Sequence, residues 1–413
     1  MPNPTQQQSR SAESLDALQN PAPISRMWLS AWMVVAVFML SNTATPLYVH
    51  WQRQIGFSSG TLTIIFAAYI FGLLGTLLIA GQLSDRYGRK TVLIPGMISA
   101  IAAALLFETS ETVFLLLMAR LLTGVAVGVI VSAGMASIVD NGGPERRKTS
   151  SLVASMSMVL GAGLGPILAG VIAQTSHQPV TLVFSIELLL LLSAFAVAWI
   201  QPNKKQNLSG QGRFRIRLPS VPRTNRFHLL LGVAFFGPGI TATSFVLSLG
   251  PSVLSSILQM NNPLLAGGTA CVMFMAAAGI QFAVRNISIQ RIFYLSAFCT
   301  FAAMTGVVTS ILYASAPLFV AAAILAGAAQ GLGQLGGLTL IALHVPDNRR
   351  AEANSVLNLG GYIPAGILPV CAGVIIDHTS LATGAFMLAL VLAAASIFAT
   401  LFVTKNRKET SST

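Results

Sequence analysis

Twelve acidic side chains, five histidines and three cysteines are all that 413 residues offer for acid–base, nucleophilic or metal chemistry. GFSSG at 56–60 fits the G-x-S-x-G pattern of a hydrolase elbow, but it follows an apolar run rather than a strand, and no Asp/His pair lies nearby. Ser58 or Ser59 reads better as the cap of the helix that follows. GLGQLG at 331–336 fits a dinucleotide fingerprint but lies inside an apolar run with no preceding strand, so it reads as a packing surface. The histidines show no metal spacing. Cys271, Cys299 and Cys371 fall in apolar runs and read as reduced packing residues. A phosphate-binding G-x-x-x-x-G-K-[ST] loop is absent. Nothing here converges as nucleophile and base, so an enzyme is not expected, nor a metal or organic cofactor. The chemistry left is that of charge in apolar surroundings. Asp85, Arg86, Arg89 and Lys90 crowd into GQLSDRYGRK at 81–90, Arg120 sits in LLLMARLLTGVAVG, and Glu187 lies inside a long apolar stretch. A charge at mid-membrane costs about 2.5–3.5 kcal/mol on insertion scales, so Arg120 and Glu187 read as functional. Burial favours the protonated form of a carboxylate, which makes Glu187 a candidate proton carrier.

The elements that position these groups are membrane helices. The chain is 54% hydrophobic and 9% charged, with mean hydropathy +0.74, too little charge for the surface of a soluble protein of this size. A bilayer core of about 30 Å needs roughly 20 apolar residues per helix, and punctuation between apolar runs predicts twelve: 28–49, 61–80, 92–108, 112–138, 150–174, 180–200, 227–249, 263–284, 292–312, 317–343, 353–376 and 381–403. The expected organisation is a tail over 1–26, six helices over 27–200, a polar connection over 201–226, six more helices over 227–404 and a tail over 405–413. The first 26 residues are polar and rich in Gln, Ser and Pro, without the apolar core of a signal peptide, and read as disordered. Of the 24 Lys and Arg, all but Arg53 and Arg120 fall in the tails, the central connection and the loops after helices 2, 4, 8 and 10. The positive-inside rule then places both termini in the cytoplasm, with the chain in a cytoplasmic (inner) membrane. Topology thus accounts for the net charge of +12, and nucleic acid is not expected as a partner.

An offset of 203 residues exposes a repeat: Arg146-Arg147 align with Arg349-Arg350, Pro166 with Pro369, Ala169–Ile172 with Ala372–Ile375, and Gly124, Gly128 and Gly134 with Gly327, Gly331 and Gly337. Six crossings per repeat give two halves in parallel orientation, with a site expected at their interface near the midplane.

These residues carry a family resemblance. GQLSDRYGRK resembles the signature loop of the major facilitator superfamily, G-x-L-x-D-R-x-G-R-K, matched at Gly81, Leu83, Asp85, Arg86, Gly88, Arg89 and Lys90. The resemblance covers residues 27 to 404. It implies an all-α fold of twelve transmembrane helices in two pseudo-symmetric bundles. It further implies a latch in which Asp85 faces the start of helix 11, with Arg89 and Asp140 in the same charge cluster. Gly81 is expected to let a neighbouring helix approach closely. Leu116, Arg120, Gly124 and Gly128 resemble a second family motif, in which the buried Arg assists substrate or proton transfer. Gly161, Gly165, Pro166 and Gly170 resemble the helix 5 motif of the antiporter branches, a thin helix expected to press on its counterpart in the other half. Ala169 and Leu152 stand where that motif has glycines.

The resembled fold lines its cavity with helices 1, 4, 7 and 10. Helix 1 offers Asn42, Thr43, Thr45 and Tyr48. Helix 10 offers Gln330 and Gln334 one turn apart, helix 11 adds Asn358, and helix 7 carries Phe235, Phe236 and Phe245 around an expected break at Gly237-Pro238-Gly239. Glu187 lies on helix 6, where it is expected either to carry a proton or to pair within the first bundle. The helix 1 carboxylate of many proton-coupled exporters is absent, which argues against a strongly cationic substrate. The reading is a monomeric secondary transporter working by alternating access and driven by a proton gradient, exporting a small amphiphilic neutral or anionic compound. Its alternatives are a facilitator or proton symporter for a sugar or organic acid and, more remotely, a membrane enzyme or sensor.

Overall fold

The computed structural model describes residues 24–201 and 226–405 apart from 261, 285, 347 and 348; the side chains of Asp85, Pro144, Lys148 and Ala351 are also outside the description. Most of the expected tails and of the polar connection over 201–226 therefore lies outside the described residues. Among the described residues, twelve helices are long and apolar enough to cross a membrane. They are α1 (Ile24–Ile55), α2 (Ser59–Tyr87), α3 (Arg89–Glu108), α4 (Val113–Gly142), α5 (Arg147–Thr175), α6 (Pro179–Ile200), α7 (Arg226–Ile257), α8 (Pro263–Ala283), α9 (Ile289–Leu312), α10 (Ala316–His344), α11 (Arg350–His378) and α12 (Leu381–Lys405).

Every predicted span is a helix, and the differences lie at the ends. α1 starts inside the expected tail and does not stop near 49. It breaks at Ala44, passes through one 3-10 turn over Thr45–Leu47 and resumes as Tyr48–Ile55. Pro46 has no N–H to continue the ladder, which explains the break. Arg53 is thus in a helix, not a loop. α7 runs on to Ile257 through a π-helical turn over Val253–Ile257, and the break expected at Gly237-Pro238-Gly239 does not occur. Packing on α10 overrides the proline: a methyl group on Gly239 would lie 2.8 Å from the Gln330 nitrogen.

The repeat is visible as repeated packing. A Cβ on Gly124 of α4 would fall 2.0 Å from the Tyr69 carbonyl oxygen of α2, and one on Gly327 of α10 would fall 2.0 Å from the Met273 carbonyl oxygen of α8. One turn further on, Gly128 meets Thr76 and Leu73 while Gly331 meets Ala277. Small residues let membrane helices touch backbone to backbone, so α2–α4 and α8–α10 are each cinched into a rigid pair. Gly331, Gly333 and Gly336 of the GLGQLG run press on α8, α7 and α9 respectively, the packing surface expected for it. Gly124→Val or Gly327→Val must push a helix pair apart, at a cost of about 1–3 kcal/mol or more. A lower thermal unfolding midpoint for both, with none for Gly75→Ala, whose Cβ meets open space, is the expected result.

The two halves meet through α2 with α11 and α5 with α8. Three hydrogen bonds join the halves at the end of the molecule away from the termini, here called the distal end. Ser58 donates to Asp377 Oδ2 at 2.6 Å, Gly60 N–H donates to Asp377 Oδ1 at 2.9 Å, and Ser252 donates to Gln52 Oε1 at 3.1 Å. Close approaches continue at Thr63 on Gly373, Pro166 on Gly267 and Gly170 on Pro263. Toward the termini, Gly75 and Gly81 on α2 and Gly279 on α8 face open space. The halves are shut at the distal end.

Candidate functional site

The break in α1 creates the first part of the site. A helix that ends leaves carbonyl groups without amide partners and a partial negative charge at its C-terminus. The Ser41 carbonyl is one of these, and Arg120 Nη1 donates to it at 2.7 Å. Arg120 Nε donates to the Tyr48 hydroxyl, on the resumed segment of α1. The guanidinium carbon stands 5.1 Å from the Tyr48 ring centroid and 5.7 Å from those of Phe66 and Phe107. Phe107 stacks on Phe184 at 4.9 Å, and Trp51 closes behind both. Arg120 is 0% exposed, and among the described residues no carboxylate lies within ion-pair distance of it. Its Nη2 is buried without a hydrogen-bond partner. The charge is held by a helix end, a phenol and ring faces.

Arg120 and Tyr48 were expected to line a wet cavity; both are instead sealed within the first half. What borders them is aromatic. Phe66 belongs to an apolar cluster with Phe236 and Ala365 of the second half, while Tyr69 and Tyr362 are half-buried and pack against the cores of both halves. Tyr69 is within electrostatic reach of Arg120 and Tyr362, and Tyr362 meets Phe236 edge-on at 6.2 Å. An aromatic run thus crosses from the buried cation to α7. Sequence reasoning missed Phe66, Tyr69 and Tyr362; a phenol in the middle of an apolar span was the available signal.

Thr43 is also sealed. Its hydroxyl lies 2.7 Å from the Met39 carbonyl oxygen and 2.7 Å from Glu187 Oε1. Thr43 has one proton and the carbonyl can only accept, so both contacts are hydrogen bonds when the Glu187 carboxyl donates to Thr43. Glu187 is 0% exposed and its Oε2 has no partner, an arrangement that suits a neutral acid. Of the two roles expected for Glu187, pairing within the first bundle is the one this geometry displays.

The helix 5 motif divides its work. Gly161 and Gly165 lie against α1, where a Cβ on Gly165 would fall 2.6 Å from Thr43 Oγ1; Pro166 and Gly170 lie against α8. The expected contact with the repeat counterpart, α11, is not made, because α11 packs on α2. Asn42 is half-buried and donates to Ser41 Oγ at 2.8 Å. Gln330, Gln334 and Asn358 are half-buried, and the Gln330 carbonyl oxygen is buried without a partner.

In the charged loop, Arg89 pairs with Asp140 at 3.1 Å and donates to Ser84 at 3.0 Å, which ties α3 to α2 and to the end of α4. Gly88 takes φ +94° and ψ 154° to turn α2 into α3, a conformation open to glycine alone. Arg86 lies 5.7 Å from the Tyr87 ring centroid, and Lys90 donates to the Trp199 carbonyl. Gly81 does not meet a neighbouring helix as expected: a Cβ there would face open space. The Asp85 contact with the start of α11 lies outside the described residues. Ser58 caps α2, accepting from Thr61 N–H at 3.1 Å. Two of the histidines do meet: the His228 and His344 rings stack at 3.8 Å.

The family model described as Major Facilitator Superfamily matches residues 27–311 and 290–413. The chain is 27% identical over 308 residues to the 3-(3-hydroxy-phenyl)propionate transporter of Escherichia coli (strain K12), covering 67% of this chain and 74% of that one. It is 22% identical over 179 residues to quinolone resistance protein NorA of Staphylococcus aureus (strain MRSA252), covering 43% and 45% of the two chains. Among solved structures, an inward-facing, unoccupied bacterial homologue of the lysosomal transporter Spinster aligns over 92% of this chain and 97% of its own, with TM-score 0.72 at 12% identity. The nucleoside transporter NupG aligns with TM-score 0.69 at 11% identity, covering 92% and 99%.

Proposed function

This chain belongs to the major facilitator superfamily and is a transporter, and we propose that it exports a small neutral or anionic amphiphile by alternating access, driven by protons. The observation that carries this reading is Arg120, a buried cation with no acid in ion-pair distance among the described residues and an N–H without a hydrogen-bond partner, behind a wall of rings at the seam. Such a wall suits the apolar part of an amphiphile, and an uncompensated positive charge favours an anionic head and repels a cation. The E. coli relative is named for an aromatic propionate, a compound of that kind. The Gln330 oxygen and the amides of Gln334, Asn42 and Asn358 supply neutral hydrogen bonds.

The positive-inside rule makes the terminal end cytoplasmic and the distal end external. The present arrangement then reads as inward-facing, shut outside by the Asp377 contacts. The other state closes the cytoplasmic end, where the family resemblance implies a latch between the end of α2 and the start of α11. Asp377, at the end of α11, already meets the start of α2. Glu187, joined to α1 through Thr43, is the proton carrier of this reading.

Purified protein in proteoliposomes, with an imposed pH gradient and labelled compounds, tests it. An aromatic carboxylate is expected to compete best, and Glu187→Gln is expected to abolish gradient-driven accumulation while leaving downhill exchange. Lipophilic dications proving the best ligands would refute the substrate class, and full gradient-driven transport by Glu187→Gln would refute the proton route.

A further inference from the structure

Arg120 is sealed, so its charge cannot touch a cargo directly. Between it and the gap stand two half-buried phenols, one from each half of the molecule. Tyr69 lies on α2 one turn from Phe66, whose ring faces the guanidinium, and the Phe66 and Tyr69 rings are 6.4 Å apart. Tyr362 lies on α11 and meets Phe236 of α7 edge-on. Both phenols pack against the cores of both halves, within electrostatic reach of each other. From the distal end inward, the halves touch at Gly60 with Gly373 and then at Ile70 with Gly366. Tyr69 adjoins Ile70, and Tyr362 stands one turn nearer the termini than Gly366. About three turns past Ile70, on the same face of α2, Gly81 meets open space. The phenols therefore stand where the closed seam gives way to the gap between the halves.

Packing does not require a phenol at either place. Gly124 faces the backbone of Tyr69 as Gly327 faces that of Met273, so the repeat puts Met273 where α2 has Tyr69. The offset of 203 puts Val159 where α11 has Tyr362. The other seam is thus built with two apolar side chains. A tyrosine hydroxyl inside a protein ordinarily finds a partner, yet among the described residues neither hydroxyl has one. The positive field of Arg120 draws the Tyr69 oxygen toward it and turns the O–H outward, as a donor into the gap. We infer that Tyr69 and Tyr362 bind the polar head of the cargo, each donating a hydrogen bond to a carboxylate. This rests on the proposed export of an anionic amphiphile and assigns the contact that the sealed Arg120 does not make. Hydrogen bonds to a charged acceptor are about twice as strong as neutral ones, so the pair favours an acid over the amide of the same shape.

The probes are 2-naphthoate, 2-naphthamide and 2-naphthylmethylammonium, measured by equilibrium binding to the full chain in nanodiscs of zwitterionic lipid. Wild type is expected to bind naphthoate about tenfold more tightly than the amide, and the ammonium most weakly. Tyr69→Phe and Tyr362→Phe keep the rings and are each expected to weaken naphthoate by about tenfold. The amide is expected to lose less, so the acid-over-amide ratio falls while the thermal midpoint stays at the wild-type value. Tyr69→Met and Tyr362→Val carry the side chains of the other seam and are expected to lower the ratio in the same way. A ratio that survives in the Tyr69→Phe, Tyr362→Phe double variant overturns the phenol contact and leaves the anionic substrate class standing. Tightest binding by the ammonium probe, or saturable binding by none of the three, overturns the substrate class and the contact with it.

Discussion

Asp377→Ala opens the distal end. The carboxylate accepts from the Ser58 hydroxyl and the Gly60 amide, both across the joint between the halves. Both donors lie at the start of α2, where the helix end adds a favourable field for an anion. Asp377 is exposed, so solvent screening limits the gain. A net loss of about 1–2 kcal/mol still moves a two-state population by a factor of roughly 5 to 30. Electron–electron distance measurements between labels on the distal ends of α2 and α11 are expected to show the long, open distance rise by that factor. Asp377→Asn keeps an acceptor for the Gly60 amide but loses the charge, and should fall between the two. A distribution identical to wild type would remove Asp377 from the gate.

Arg120→Ala has the larger effect on the folded state. It leaves the Ser41 carbonyl and the Tyr48 hydroxyl without their partner and empties the space between three rings. Unmade buried hydrogen bonds and a new cavity together cost about 2–5 kcal/mol. Transport per folded molecule is expected to drop at least 100-fold. Arg120→Lys separates the two roles, because one ammonium cannot reproduce the fork that reaches a carbonyl and a phenol at once. It should recover part of the thermal stability in a fluorescence melt and little of the transport. Wild-type flux in Arg120→Ala, after correction for folded protein, would show that the cage serves the fold alone.

The helices were legible because each span is a sustained apolar run, a signal that tertiary context rarely overturns in lipid. The segment YVHWQRQI was not, since its mean hydropathy is that of a loop and only the packing of Tyr48 and Trp51 makes it helical. Arg120 announced itself by depth. Its partners did not, because spacing along one helix does not say which neighbour a side chain reaches, and the reading put it on the cavity when it is caged. Asp377 lies one residue past the predicted end of its span and was not singled out. Its partners stand 317 and 319 residues away, and no local pattern connects them. Gln330 and Gln334 could be placed on one face by their spacing alone, yet the orphaned oxygen of Gln330 appears only when α7 is laid against it.

Part of the joint between the halves is bare backbone: Gly60, Gly170, Gly267 and Gly373 face small side chains or peptide groups across it. On the alternating-access reading, parting these four contacts withdraws no bulky group from a socket, and the resistance to separation comes instead from Phe66 and Ile70 of α2, which are buried among side chains of the second half. Enlarging any of these four residues would slow the cycle by jamming a sliding surface, without touching affinity for the cargo.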